Sequence, residues 1–355
     1  LVEIGRGFAL ADLLQTGKPV VLLDETTASL NHDEVEDLFA HVRERREEAS
    51  FVFVSHRLHE VLDLCDRICV LKDGAVVAEL DAKTADEATL HSLMVGRVRE
   101  EQYYLEHMRK TEFGEPRLVL DGLTAEPEFR DVSLTVHRGE IVALGGVTGS
   151  GKSHLARAIA GDFKVEAGTA SVDGKPLPAS GINTRIGKVA YGPLDRHAEG
   201  VSLLQSIRLN VTLSCLDRFI SPLHTLQRAP EVKHVKQAIE EYSIVTPDEE
   251  TPVGSLSGGN QQKVMLARLV SSDAKVLVLD NPTRGVDAGA RQDIYLHLRR
   301  LADNGMAILM ISDDLRELIG MGDRVAVLKD GVLNQVWDEQ QTRALTEEDV
   351  VGRMV

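Results

Sequence analysis

The sequence is short of several things, and each shortage excludes a class of function. Only three cysteines, Cys65, Cys69 and Cys215, occur among 355 residues, too few for a disulfide framework, so the chain reads as one built for a reducing cytosol. No apolar run approaches the roughly 18 residues that a membrane-crossing helix needs. Basic residues are outnumbered, 40 Lys+Arg against 56 Asp+Glu for a net charge of -16. A chain this acidic does not hold nucleic acid or an anionic bilayer by charge alone. Aromatics make up 4%, and none stands out as a platform for stacking a nucleobase: Phe129, ahead of the strand-like Arg130–Val136, reads as a core residue, and Trp337 as edge packing. Cys65, Cys69 and His59 lack a fourth ligand spaced to close a tetrahedral metal site. The chain opens at Leu1, already inside an apolar segment, and this reads as a truncated start.

What is present suffices for packed cores: 43% hydrophobic and 27% charged residues, in a length that predicts about two domains. The organisation is an unequal internal repeat. VVLLDETTASLNHDEVEDLF (Val20–Phe39) matches VLVLDNPTRGVDAGARQDIY (Val276–Tyr295), and Phe51–Gly74 matches Ala307–Gly331. Each copy reads as a buried strand ending in Asp24 or Asp280, then a helix whose apolar residues (Val35, Leu38, Phe39 and Val42 in the first copy) recur at helical spacing. A second apolar strand, a short helix, a third strand and a Lys-Asp-Gly hairpin turn follow. Continuous apolar strands alternating with helices predict a mostly parallel sheet covered on both faces. The second copy carries a long additional segment ahead of its shared part, within which residues 206–256 lack strand-like runs and predict a helical subdomain. Residues 98–116, mixed in charge and closed by Gly-Glu-Pro, read as a linker between a first domain over 1–97 and a complete second domain over 117–355.

The chemistry is carried by three segments. Gly146-Val147-Thr148-Gly149-Ser150-Gly151-Lys152-Ser153 fits Gly-x4-Gly-Lys-Ser between the strand Glu140–Leu144 and the helical pattern His154–Gly161. Glycines let backbone N–H groups wrap phosphate oxygens, and the helix N-terminus adds positive potential. Lys152 is expected to reach the β- and γ-phosphates, and Ser153 to ligate Mg²⁺. Asp280, at the end of an apolar strand, sits where a P-loop NTPase keeps its Mg²⁺-holding aspartate, and Asp24 repeats it in the first copy. Leu256-Ser257-Gly258-Gly259-Asn260-Gln261-Gln262-Lys263 places Ser257, Gly258 and Gly259 at another helix N-terminus, a second anion-binding device. The economical reading is that this second cradle closes over a nucleotide held by another half.

Together with Ser55-His56-Arg57-Leu58, these segments resemble ATP-binding cassette proteins. LSGGNQQK followed by Asn281–Asp287, and the fusion of two cassettes, are similar to the ATPase subunits of bacterial monosaccharide importers. The resemblance covers essentially the entire chain. It implies an α/β P-loop fold of the ABC ATPase type with a helical subdomain, in tandem cassettes of which the first is incomplete here. The cofactors implied are ATP and Mg²⁺. The partners implied are membrane permease subunits, a separate solute-binding protein, and the second cassette of the same chain or of a second copy, with no nucleic acid. The location implied is peripheral, at the cytoplasmic face of the membrane.

Residue by residue, the resemblance makes Glu25 the water-activating carboxylate and His56 the γ-phosphate contact of one composite site. Ser257, Gly258, Gly259 and Gln261 of the other cassette complete it, and its P-loop is expected upstream of Leu1. The other site has the intact P-loop but Asn281 at the glutamate position, Asp313 at the switch-histidine position, and Leu194 where Gln or Glu usually meets Mg²⁺ and water. It is expected to hold ATP and barely hydrolyse it. A nucleoside importer, a non-hydrolysing remnant and a ribosome- or DNA-directed protein of the same family are the alternatives.

Overall fold

The computed structural model describes residues 18–24, 26–27, 32–55, 57–72, 75–95 and 103–355. Two compact units result, Leu1–Glu100 with Asp287–Gly289, and the remainder.

In the first unit β1 (Val20–Asp24) pairs in parallel with β2 (Ser50–Val54), and β3 (Arg67–Lys72) forms an antiparallel hairpin with β4 (Ala75–Asp81). The helix α1 (His32–Glu44) follows β1, and its predicted apolar stripe is the stripe that is buried: Val35, Leu38, Phe39 and Val42 join Leu23 and Leu64 in one cluster. The opposite face of the pair is open, with Val20 63%, Leu22 72%, Val52 47% and Val54 50% exposed. The repeat equivalents of Val20 and Leu22 in the second unit, Val276 and Val278, are fully buried.

The second unit has two sheets. A four-stranded antiparallel sheet is formed by β5 (Pro116–Ala125), β6 (Phe129–His137), β8 (Ala167–Val172) and β9 (Lys175–Leu177), in the order β6-β5-β8-β9. The larger sheet has the order β10-β11-β12-β7-β13-β14, from β7 (Ile141–Gly145), β10 (Val189–Gly192), β11 (Val276–Asp280), β12 (Ala307–Ile311), β13 (Arg324–Lys329) and β14 (Val332–Trp337). It is parallel except for the β13–β14 hairpin. β7, β11 and β12 are buried at every position, as expected of apolar strands covered on both faces. The helix α2 (Lys152–Ala160) contributes Leu155, Ala156 and Ile159 to a core shared by both sheets, in which Phe129 is fully buried. Phe129 is thereby a core residue and no stacking platform.

Two further departures concern boundaries. Residues 103–109, assigned to the linker by their mixed charge, pack on the second unit: Tyr103 and Leu105 are buried, Tyr103 meets the Tyr295 ring edge-on at 5.8 Å, and Arg109 donates to the Ile319 and Gly320 carbonyls. The antiparallel sheet was legible only in its Arg130–Val136 portion. The helical subdomain is built from α3 (Ile207–Thr212), α4 (Arg228–Glu241) and α5 (Gly258–Ser271).

Candidate functional site

Sheet order brings the site together. β7 lies between β12 and β13, and β11 lies beyond β12, so the carboxyl ends of β7, β11 and β12 open on one edge, where α/β sheets bind ligands. Gly146–Gly151 leaves β7, Asp280 and Asn281 end β11, and Ser312 and Asp313 follow β12.

The P-loop turn depends on glycine chemistry. Gly151 has φ +92, and a Cβ there would stand 2.1 Å from the Glu128 carbonyl oxygen, while Gly149, at φ +83, faces open space. Lys152 begins α2 with its side chain only 7% exposed. Its ammonium donates to the Gly146 carbonyl at 2.8 Å and the Val147 carbonyl at 3.2 Å, and pairs with Asp313 Oδ1 at 3.0 Å. Thr148 is exposed beside it. Ser150 is buried and its hydroxyl has no partner.

Asp280 is 1% exposed. Burial pushes its carboxyl above the ordinary value, opposed by the polar Ser153 hydroxyl and Asn281 amide beside it. Oδ1 accepts from Asn281 Nδ2 at 3.0 Å, whereas Oδ2 is buried with no partner. A hard divalent cation takes oxygen ligands, and the Ser153 hydroxyl beside an orphaned Asp280 oxygen fits that requirement. When bound, Mg²⁺ would neutralise phosphate charge. Asp24, the first-unit counterpart, is exposed at the end of β1.

Asn281 sits at φ +50, a left-handed conformation that Asn tolerates better than most residues. While its amide nitrogen holds Asp280, its Oδ1 accepts from the Asp313 backbone N–H at 2.8 Å. Leu194, on the loop after β10, is 37% exposed.

Ser257 is exposed and caps α5, its hydroxyl accepting from Asn260 N–H at 3.4 Å. Gly258 carries Arg196 against it, where a Cβ would lie 2.8 Å from the guanidinium, and Arg196 in turn donates to the Arg284 carbonyl at 2.8 Å. Gly259 is buried. Gln261, expected beside a phosphate, has its side-chain Nε2 donating to the Leu256 carbonyl at 3.0 Å and its Oε1 meeting His197 Nε2 at 2.8 Å.

Glu25 and His56 lie outside the described residues. Their neighbours do not, and they expose a residue that motif reading missed. Glu60 is buried and accepts from Thr27 at 2.6 Å, Ser55 at 3.2 Å and Arg57 at 3.0 Å. The second copy repeats the arrangement, with Glu317 accepting from Thr283 and Ser312. Burial pushes the Glu317 carboxyl up. The signal was present in the repeat, which aligns Thr27, Ser55 and Glu60 with Thr283, Ser312 and Glu317.

Comparison with known proteins agrees with this geometry. The ABC transporter family profile matches residues 129–284. The chain is 38% identical over 354 residues to the ribose import ATP-binding protein RbsA 1 of Rubrobacter xylanophilus, covering 99% of this chain and 68% of that protein. It is 36% identical over 334 residues to the ribose import ATP-binding protein RbsA of Lacticaseibacillus paracasei, covering 93% and 65%. The chain therefore spans about two thirds of the length of these relatives. A solved dimeric ATP-binding cassette in a post-hydrolysis state, bound to ADP and Pi, is 20% identical with a TM-score of 0.55, covering 62% of this chain and 98% of that one. At that identity the likeness speaks for the fold.

Proposed function

The chain belongs to the ATP-binding proteins of ABC transporters, and from that premise we propose that it is the energy-coupling ATPase subunit of a carbohydrate importer, with ribose or a related monosaccharide as solute. Residues 1–97 are then the C-terminal part of a first cassette and residues 117–355 a second cassette in tandem with it. They serve membrane permease subunits at the cytoplasmic face of the membrane, and a separate solute-binding protein selects the sugar. Among the described residues no helix is long and apolar enough to cross a membrane, in keeping with a peripheral subunit that borrows its membrane path from partners.

One observation carries the nucleotide reading. Lys152, Ser153 and Asp280 converge at a single sheet edge around two buried oxygens with no partner, Ser150 Oγ and Asp280 Oδ2. Lys152 and the loop amides bind and orient the phosphates, and Ser153 and Asp280 hold Mg²⁺. The residue at the general-base position, Asn281, is an amide and takes no proton from water. The exposed Ser257 and the half-buried Gly258 serve a nucleotide held by a different P-loop, at the site for which Glu25 supplies the base and His56 the γ-phosphate contact.

The test of the transport reading is reconstitution of the two-cassette protein with its permease and solute-binding protein in vesicles. ATP turnover is expected to rise with ribose or another monosaccharide on the binding protein. A rise with nucleosides alone would reassign the importer, and turnover indifferent to any solute would remove the transport reading.

Asn281→Glu alone is expected to restore little hydrolysis at the second site, less than about a tenth of what a general base usually contributes, roughly 10²–10⁴-fold. The amide now bridges Asp280 to the Asp313 backbone; a carboxylate cannot donate to Asp280 and would add a like charge beside it. Single-turnover measurement on the second cassette checks this, and a large gain would show that Asp313 and Leu194 matter little.

A further inference from the structure

Resting on the nucleotide reading above, we propose that Asp313 is a built-in competitor for the terminal phosphate, and that it makes the second site prefer a nucleoside diphosphate to a triphosphate. An ammonium has three donors. Those of Lys152 are directed at the Gly146 carbonyl, the Val147 carbonyl and Asp313 Oδ1, at 2.8, 3.2 and 3.0 Å. With the Lys152 side chain 7% exposed, water reaches it poorly, and among the described residues the Asp313 carboxylate is the charged group that pairs with it.

The carboxylate does not stand there by accident of rotamer. Its backbone N–H is held by Asn281 Oδ1 at 2.8 Å, and the other end of that amide is held by Asp280 Oδ1 at 3.0 Å. Asn281 thus ties the residue after β12 to the end of β11, and the tie fixes the Cα from which the Asp313 carboxylate reaches Lys152. The two positions that depart from the family pattern work as one device, an amide that positions and a carboxylate that occupies.

The consequence for ligands is electrostatic. A diphosphate can engage the loop amides and the unpartnered Ser150 hydroxyl while Lys152 keeps its carboxylate. A triphosphate brings a further anionic group that needs the same ammonium. Asp313 must then give up Lys152, and its pinned backbone keeps the freed carboxylate within a few ångströms of the new charge. Like charges at that range, in a site half open to solvent, cost on the order of a tenfold change in affinity. Discrimination between the nucleotides follows from charge alone, without any contact to the base.

The experiment is calorimetric titration of the chain with ADP and with ATP, each in Mg²⁺ and in EDTA, for the wild type, Asp313→Asn and Asn281→Ala. The wild type is expected to bind ADP about tenfold more tightly than ATP. Asp313→Asn should raise ATP affinity about tenfold and move ADP less than about twofold. Asn281→Ala, which frees the carboxylate without removing it, should narrow the preference by a smaller factor. Equal wild-type affinities, or an Asp313→Asn effect that is the same for both nucleotides, would overturn the proposal while leaving the nucleotide site standing. Absence of saturable binding by either nucleotide would overturn both. Asp313 is half exposed, so its variant is expected to fold, and Asn281→Ala gives the same answer independently.

Discussion

Exchanging Glu25 for glutamine in the two-cassette protein is expected to abolish steady-state ATP turnover and leave nucleotide binding intact. Removing a general base costs about 10²–10⁴-fold in rate, and the second site has no base at the corresponding position: Asn281 is an amide there, and Leu194 is apolar. The loss should therefore show in full rather than be halved. The frame around the two loops argues in the same direction. Thr27 and Ser55, which flank Glu25 and His56 in the sequence, are fastened to the buried Glu60, and the same fastening recurs on Glu317 in the second copy. The frames are alike and the residues they present differ, Glu and His in one copy, Asn and Asp in the other. Steady-state hydrolysis with a parallel binding titration checks the assignment, and unchanged hydrolysis in Glu25→Gln would refute it.

What the sequence made legible is what repeats or what periodicity enforces. Strands ending in Asp24 and Asp280, the apolar stripe of α1 and the Lys329-Asp330-Gly331 hairpin all follow from local pattern, because a buried strand or an amphipathic helix advertises its faces. Side-chain commitments across long sequence separations were not legible. The Lys152–Asp313 pair joins residues of β7's loop and β12's end, and only the strand order makes them neighbours. The contact between His197 and Gln261, 64 residues apart, is of the same kind. Tyr103 and Leu105 were hidden in a charged run, since a short apolar cluster of two or three residues has no period to detect. The antiparallel sheet escaped for a related reason: β5 is broken by Gly122 at φ +60, and register shifts interrupt both of its pairings, which blurs the alternation that marks a strand.

Lys152→Ala should weaken ATP binding by about 10²-fold, the upper end of what the loss of one charge-assisted contact predicts. A charge-assisted hydrogen bond contributes about 1.5–3 kcal/mol, and about 1.4 kcal/mol corresponds to a factor of ten, so removing the ammonium alone gives roughly 10- to 100-fold. Asp313 adds to this. Once Lys152 is gone, the Asp313 carboxylate still faces the incoming phosphate, with no cation beside it, so the like-charge repulsion persists on top of the lost donor. The two effects separate in a double-mutant cycle: Asp313→Asn placed on Lys152→Ala should recover about tenfold of the lost ATP affinity, because it deletes the repulsion while the missing donor stays missing. A structural account, in which Lys152 merely braces the Gly146 and Val147 carbonyls, gives no such recovery, since the asparagine touches neither carbonyl. Titration of the four proteins with ATP decides between them, and an unaltered dissociation constant in Lys152→Ala would remove the P-loop assignment itself.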